Sequence, residues 1–375
     1  MTGRQRLLDT FAGKRTDRVP VAPFIHTNVV NEWFGTPPED PIAACLKLYQ
    51  EFGFDVILRN YIPGSHLAVG YATNENWVVA DRTVGDLSCS WDVYSTITTP
   101  ERVMTSKKSF RRVTPNEVVS ATTECFIKGP EDFEQFKKYQ PPVKEYDLSL
   151  ITHAREVVGD HGLTGPWVDG VFNTCGGHRY LADLLQDPYE DDEFFLDMME
   201  YFYGRVAAYV EQVFDAGADF ISVSGNMASG SMAGPSMFRK YIMPFEKRLI
   251  DLAHSKGGKV IYHNCGDAKY LLPIYNEMGI DMYESLTAPP YGDTDLVTAL
   301  NTIQPPTVLS GNLDQIHFLK VATPEEIRAE VKRVMDLVKP RGSFIFACTD
   351  YLCEGTPEAN IRALAEAAME YGKYE

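Results

Sequence analysis

Several things are missing from this sequence, and each absence narrows what it can be. No apolar run approaches the length of a bilayer-spanning helix. The seven cysteines, at 45, 89, 125, 175, 265, 348 and 353, are odd in number and spread thinly over 375 residues. That pattern argues against a disulfide framework and for a reducing compartment. Positive charge is scarce, with 35 Lys and Arg against 52 Asp and Glu, a formal net charge of −17. A phosphate backbone repels such a surface, so nucleic acid is not an expected partner. The opening "MTGRQRLLDTFAGKRTDRVPV" carries charges throughout and no apolar signal core. The expectation is a cytoplasmic protein with no membrane partner; oligomeric state is not readable from these features. Low-complexity tracts and Pro/Ser-rich linkers are also lacking, which argues against a second independent domain.

What is present is a repeating alternation. β-prone runs occur at 19–24, 54–60, 162–167, 218–224, 259–265, 281–286, 307–313 and 343–349. Between the later ones lie amphipathic helical segments with apolar residues at three and four spacing. One runs from Asp191 and stops at Gly217; another has Pro235 near its start and Gly257 after its end. A third opens on Thr323 with Glu326 three residues on, the pattern of a capping box. Eight strands alternating with helices predict an α/β fold, a (β/α)8 TIM barrel, with a doubly wound sheet as the structural alternative. The polar, aromatic stretch at about 61–145 breaks the repeat. It reads as a hairpin-rich insertion after the second strand, covering the barrel mouth. The chain is then one TIM-barrel domain over 1–375.

The segment "KVIYHNCGD" (259–267) carries the first chemical signal. Residues two apart in a strand share a face. His263 and Cys265 therefore point the same way at the C-terminal end of the fifth strand, the end that carries chemistry in barrels. Imidazole and thiolate are preferred zinc ligands. Cys348, in "FIFACTDYLC", ends the eighth strand, with Cys353 as its competitor for a third ligand position. Glu284, ending the sixth strand in "DMYESL", is a candidate fourth ligand in the absence of substrate. Three protein ligands and an exchangeable position describe a catalytic rather than a structural zinc.

These residues resemble a known pattern. His263-x-Cys265 with a cysteine about eighty residues later is similar to the zinc motif of cobamide-dependent methyltransferases in the uroporphyrinogen decarboxylase superfamily. "RQRLLDTFAGKRTDRVPVAPF", "FIKGPEDFEQF", "AGADFISVSGNMASGSMAGPSMFRKYIMPFEKRLI", "LSGNLDQIHFL" and "GTPEANIRALAEAA" resemble further family segments along most of the chain. The arginine-rich signature of the decarboxylase branch is absent: its place reads "APFIHTNVVNEW".

The resemblance implies a TIM barrel, Zn2+, and a corrinoid carried on a partner protein, since no Asp-x-His-x-x-Gly segment occurs in this chain. It also implies a small-molecule methyl donor or acceptor. "YESLTAPPYGDTDL" resembles donor-side enzymes of O-demethylase systems, which makes a methoxylated compound the expected donor. A methyl-corrinoid:thiol transferase of the coenzyme M type, a metal-free decarboxylase, and a barrel binding a corrinoid without turnover are the alternatives.

Around the rim, Asn226, Asp314 and Tyr283 are candidate substrate-binding residues, and Asp350 a candidate partner of a metal ligand. Trp167, Phe172, Tyr180, Tyr291 and Tyr351 are further aromatic candidates for lining the pocket; Asn312 reads as turn chemistry.

Overall fold

The structure, a computed structural model, describes residues 1–35, 38–70 and 72–374; residues 36, 37, 71 and 375, the last two of which fall within the expected insertion and at the expected domain end, lie outside the described residues. The strands in chain order are β1 (Val56–Leu58), β2 (Val78–Asp86), β3 (Ser90–Thr98), β4 (Val103–Arg112), β5 (Val118–Glu124), β6 (Gly162–Thr164), β7 (Trp167–Asp169), β8 (Phe220–Ser224), β9 (Lys259–His263), β10 (Met282–Ser285), β11 (Val308–Leu313) and β12 (Phe344–Cys348). Strands β7 to β12 form one parallel sheet in consecutive order, and β1 pairs with β6.

The two sheets join into a TIM barrel. β6 and β7 are two halves of one strand interrupted at Gly165 and Pro166: Gly165 donates to Leu58 on one side, and Ser222 donates to Pro166 on the other. Proline has no N–H to continue the ladder. The chain at 19–22 supplies the remaining strand. Val21 bridges Phe346 in parallel, and Asp55 N donates to Val21 O at 2.8 Å. All eight β-prone runs therefore lie in the wall, and the circle closes through backbone hydrogen bonds.

Alternation along each strand sorts its side chains. Ala22, Ile57, Leu163, Phe220, Ile261, Met282, Val308 and Ile345 point inward and pack with Leu7 and Phe11 of the helix Gly3–Phe11. That helix stoppers one end of the barrel, so the interior is a filled core. The opposite parity, including Tyr262, Tyr283, Leu309 and Phe346, packs under the surrounding helices.

The helices follow their signals. The helix Asp192–Asp215 ends before Gly217, which sits at φ +93°. Thr323 and Glu326 form the reciprocal capping box at the start of the helix Pro324–Val338. One helix departs from its expected continuity: the segment from Gly234 to Ser255 contains a π-turn at Phe238–Ile242. Pro244, just inside the following helix, cannot donate to the preceding turn, and the backbone widens there instead.

The insertion is a four-stranded antiparallel meander, β2-β3-β4-β5. Trp77, Ile97 and Met104 root one end in the core against Phe136. The β4–β5 hairpin tip reaches the far side of the barrel: Thr114 and Asn116 hydrogen-bond Glu354, and Tyr351 donates to Glu117. The sheet thus bridges the mouth from the second strand to the eighth. No helix among the described residues is long and apolar enough to cross a membrane.

Candidate functional site

One layer above the apolar plug, the inward positions turn polar: Arg59, Ser222, His263, Glu284 and Ser310. Each continues the inward parity of its strand, two residues beyond Ile57, Phe220, Ile261, Met282 and Val308. Arg59 forks onto Glu284, with Nη1 to Oε1 at 2.5 Å and Nη2 to Oε2 at 2.9 Å, and Nη1 also donates to Ser222 Oγ at 2.8 Å. Its guanidinium carbon stands 4.8 Å from the centroids of both the Phe24 and Trp167 rings. A planar cation between two π faces with a bidentate carboxylate is a strongly determined geometry.

Glu284 in turn holds His263: Nδ1 and Oε1 are 2.9 Å apart, and Ser285 Oγ lies 3.3 Å from the same nitrogen. Burial alone would raise the Glu284 carboxyl, but Arg59 and the bond to His263 outweigh it and hold the group below the usual carboxylate range. For His263, burial favours the neutral ring, yet hydrogen bonds to Cys265 and Glu284 raise its pKa above the ordinary value. With Nδ1 committed to the carboxylate, the ring presents Nε2 as its remaining donor, the arrangement that orients metal-binding histidines.

Between His263 and Cys265, Asn264 is fully buried and faces the other way. Its side chain donates to Tyr275 Oη at 2.8 Å and accepts from Gly266 N at 3.0 Å, while its carbonyl accepts from Tyr283 Oη. This anchor keeps the two flanking side chains on the interior side. A Cβ on Gly266 would stand 3.0 Å from Ser229 Cβ, so the turn packs closely on the neighbouring loop.

Among the described residues, the donor atoms of His263, Cys265 and Asp350 gather within 4.8 Å of one another. A nitrogen, a sulfur and a carboxylate oxygen suit zinc and leave room for an exchangeable partner. The donor set therefore fits a catalytic metal ion.

The other expected residues lie around this cluster. Cys348 lines the same cleft as His263, Glu284 and Asp350 but is not one of the three gathered donors. Burial raises its thiol pKa, and its neighbour Cys353 is pushed up to about 11 the same way. Glu284 is not a gathered donor either: both oxygens are engaged by Arg59, and it acts on the site through His263. Tyr283, expected on the substrate side, is 0% exposed on the outer face of β10, because its parity is opposite to that of Glu284.

Asp314 caps the turn Gln315–Leu319, accepting from Ile316 N and His317 N at 2.8 Å. Asn226 is exposed and accepts from Asn173 Nδ2 at 2.6 Å. Of the aromatic candidates, Trp167 packs edge-on to His263 with centroids 5.3 Å apart, and Tyr351 joins Phe24 and His26 at the mouth. Phe172 is fully buried, while Tyr180 and Tyr291 are exposed. Arg59 and Phe24 escaped notice in the sequence. The signal was there for Arg59: a charge in phase with the inward Ile57 at the end of a strand.

Comparison with known proteins gives the family and supports the fold. The sequence model of the uroporphyrinogen decarboxylase (URO-D) family matches residues 110–371. Methylcobamide:CoM methyltransferase MtbA of Methanosarcina acetivorans is 23% identical over 65% of this chain and 70% of its own length. The MtbA of Methanosarcina mazei is 27% identical with the same coverage. A solved methyltransferase from Methanosarcina mazei superposes over 99% of both chains with a TM-score of 0.71 at 16% identity, which supports the barrel fold. Since the family match spans well over half the sequence, the chain belongs to the uroporphyrinogen decarboxylase family.

Proposed function

We propose that this protein is a zinc-dependent methyltransferase that moves a methyl group between the cobalt of a corrinoid, carried by a partner protein, and a small molecule bound at the barrel mouth. The observation that carries the reading is the convergence of His263, Cys265 and Asp350, with His263 held from behind by Glu284 and Arg59. The similarity to proteins named methylcobamide:CoM methyltransferases supports the reaction class.

In this reading His263 and Cys265 bind zinc together with a donor from the segment 348–350. Bound there, zinc supplies Lewis-acid stabilisation of the charge on the heteroatom that gives up or takes the methyl group. Glu284 keeps the imidazole in one tautomer, and Arg59 keeps Glu284 ionised and in place. Trp167, against the ring of His263, shields one side of the site from water. Positioning of the methyl carbon in line with cobalt then carries much of the rate.

The small molecule is a methoxylated compound in the donor direction. A thiol acceptor is the second reading, favoured by the names of the relatives. Metal analysis of protein purified without chelators tests the centre: about one zinc per chain, lost on Cys265→Ser, is expected. Cys348→Ala and Asp350→Ala, compared in the same analysis, identify the third donor. Assays with Co(I) cobalamin and methoxylated aromatics, and with methylcobalamin and thiols, separate the two directions. Metal-free protein with decarboxylase activity overturns the proposal.

A further inference from the structure

The inserted sheet is held at its two ends by different chemistry. At the root, Trp77, Ile97 and Met104 are buried in the core, and Trp77 packs edge-on to Phe136 with centroids 4.9 Å apart. At the β4–β5 tip, Val113 and Val118 are exposed, and polar groups make the contacts with the barrel.

The receiving surface is the loop that follows β12. Glu354 in this loop is 8% exposed. Its carboxylate accepts from Thr114 Oγ1, from Asn116 N at 3.2 Å and from Asn116 Nδ2 at 3.0 Å. Among the described residues, every hydrogen-bond partner of this carboxylate belongs to the tip, and a buried carboxylate needs such partners. Glu117 of the tip accepts from Tyr351 Oη and, at 3.4 Å, from Asn28 Nδ2 of the helix Thr27–Phe34. Glu32 of that helix accepts from Gly355 N at 3.0 Å.

The same loop begins with the segment that offers the third metal donor. Cys348 ends β12, Asp350 is one of the gathered donors, and Tyr351 is the next residue. Asp350 Oδ1 accepts from Tyr351 N at 2.8 Å. The Tyr351 ring stands 4.7 Å from that of His26 and, edge-on, 6.1 Å from that of Phe24. Phe24 O accepts from Leu352 N at 2.9 Å, and its ring covers Arg59, the cation that holds Glu284 behind His263. The tip therefore grips the residue beside one donor and, through an aromatic layer, the support of another.

We propose that the β4–β5 tip is a latch that sets the third donor of the metal centre, with Glu117 and Glu354 as positioning residues for the segment 348–351. Docking of the sheet and completion of the metal site are then coupled. The inference deepens the metal-dependent reading and rests on it for the identity of the bound group.

Two measurements on the full chain test it. One is chelator competition for zinc, with the visible spectrum of the Co2+-substituted protein. The other is amide hydrogen exchange on the metal-free protein. Glu117→Ala and Glu354→Ala should each weaken zinc binding about tenfold and alter the Co2+ spectrum. Glu354→Gln keeps a side-chain acceptor for the tip and should recover most of the affinity. Exchange at 113–118 and at 349–356 should quicken about tenfold in both alanine variants, with the barrel strands unchanged. Val331→Ala, a core truncation in the helix Pro324–Val338, should lower the unfolding midpoint and leave zinc affinity and spectrum as they are. Unchanged affinity and spectrum in folded Glu117→Ala and Glu354→Ala, or equal changes in Val331→Ala, overturn the latch. A wild-type chain that takes up neither zinc nor Co2+ sinks the metal reading instead. The exchange data then decide: faster exchange at 349–356 upholds the latch, and unchanged exchange overturns it.

Discussion

Glu284 and Glu246 are both carboxylates buried at the C-terminal end of the barrel, one inside the wall and one behind it. Glu284 meets the Arg59 fork and stays ionised. Glu246, 1% exposed on the helix Met243–Ser255, meets only backbone amides: Phe172 N lies 3.5 Å from Oε1, and Oε2 has no partner among the described residues. Burial pushes its pKa up to about 8. Equal burial yields opposite protonation because a cation is present in one place and missing in the other. The ionised acid is the one that holds a candidate metal ligand.

Removing the cation should make the first site resemble the second. Arg59→Met strands Glu284 in the core and should cost about 3–5 kcal/mol of unfolding free energy, read by urea denaturation at pH 7. Unchanged stability would mean that Glu284 does not depend on Arg59.

The second site should reveal itself through pH. The folded pKa of Glu246, about 8, lies above its ordinary value of 4.5, so the folded chain holds a proton that the unfolded chain releases. Stability from this group is fully present below pH 4.5 and is lost as pH rises through 8. Between pH 5 and 8 the wild type should lose about 3 kcal/mol through this group, and Glu246→Gln should flatten that slope. Parallel slopes for the two proteins would place the ionisation elsewhere.

Removing the charge of Glu284 while keeping its shape tests its service to His263. Glu284→Gln should weaken zinc binding by about 10- to 100-fold in chelator competition, with one metal per chain still reached at saturation. Ser222→Ala removes a single neutral partner of Arg59 and should cost only about 1 kcal/mol.

The barrel was legible because its signals are local. Strand runs, helix periodicity, Gly217, Gly257 and the Thr323–Glu326 box each act over a few residues, and the structure honours them. His263 and Cys265 were legible for the same reason: a two-residue spacing keeps them on one side of the chain. Cys348, read from its place at a strand end, lines the cleft with His263 but is not one of the three gathered donors. Asp350, just past the strand end, approaches the cluster, a meeting that local spacing does not show.

The sequence by itself determined eight β/α units, an inserted hairpin sheet and a histidine–cysteine pair at a strand end, since each depends on residues close along the chain. Tertiary structure alone decided that Arg59 meets Glu284, 225 residues away, that Asp350 joins His263, and that the tip of the sheet reaches Tyr351 and Glu354. Those meetings depend on the register of neighbouring strands and the closure of the barrel, which bring side chains together according to where the wall curves.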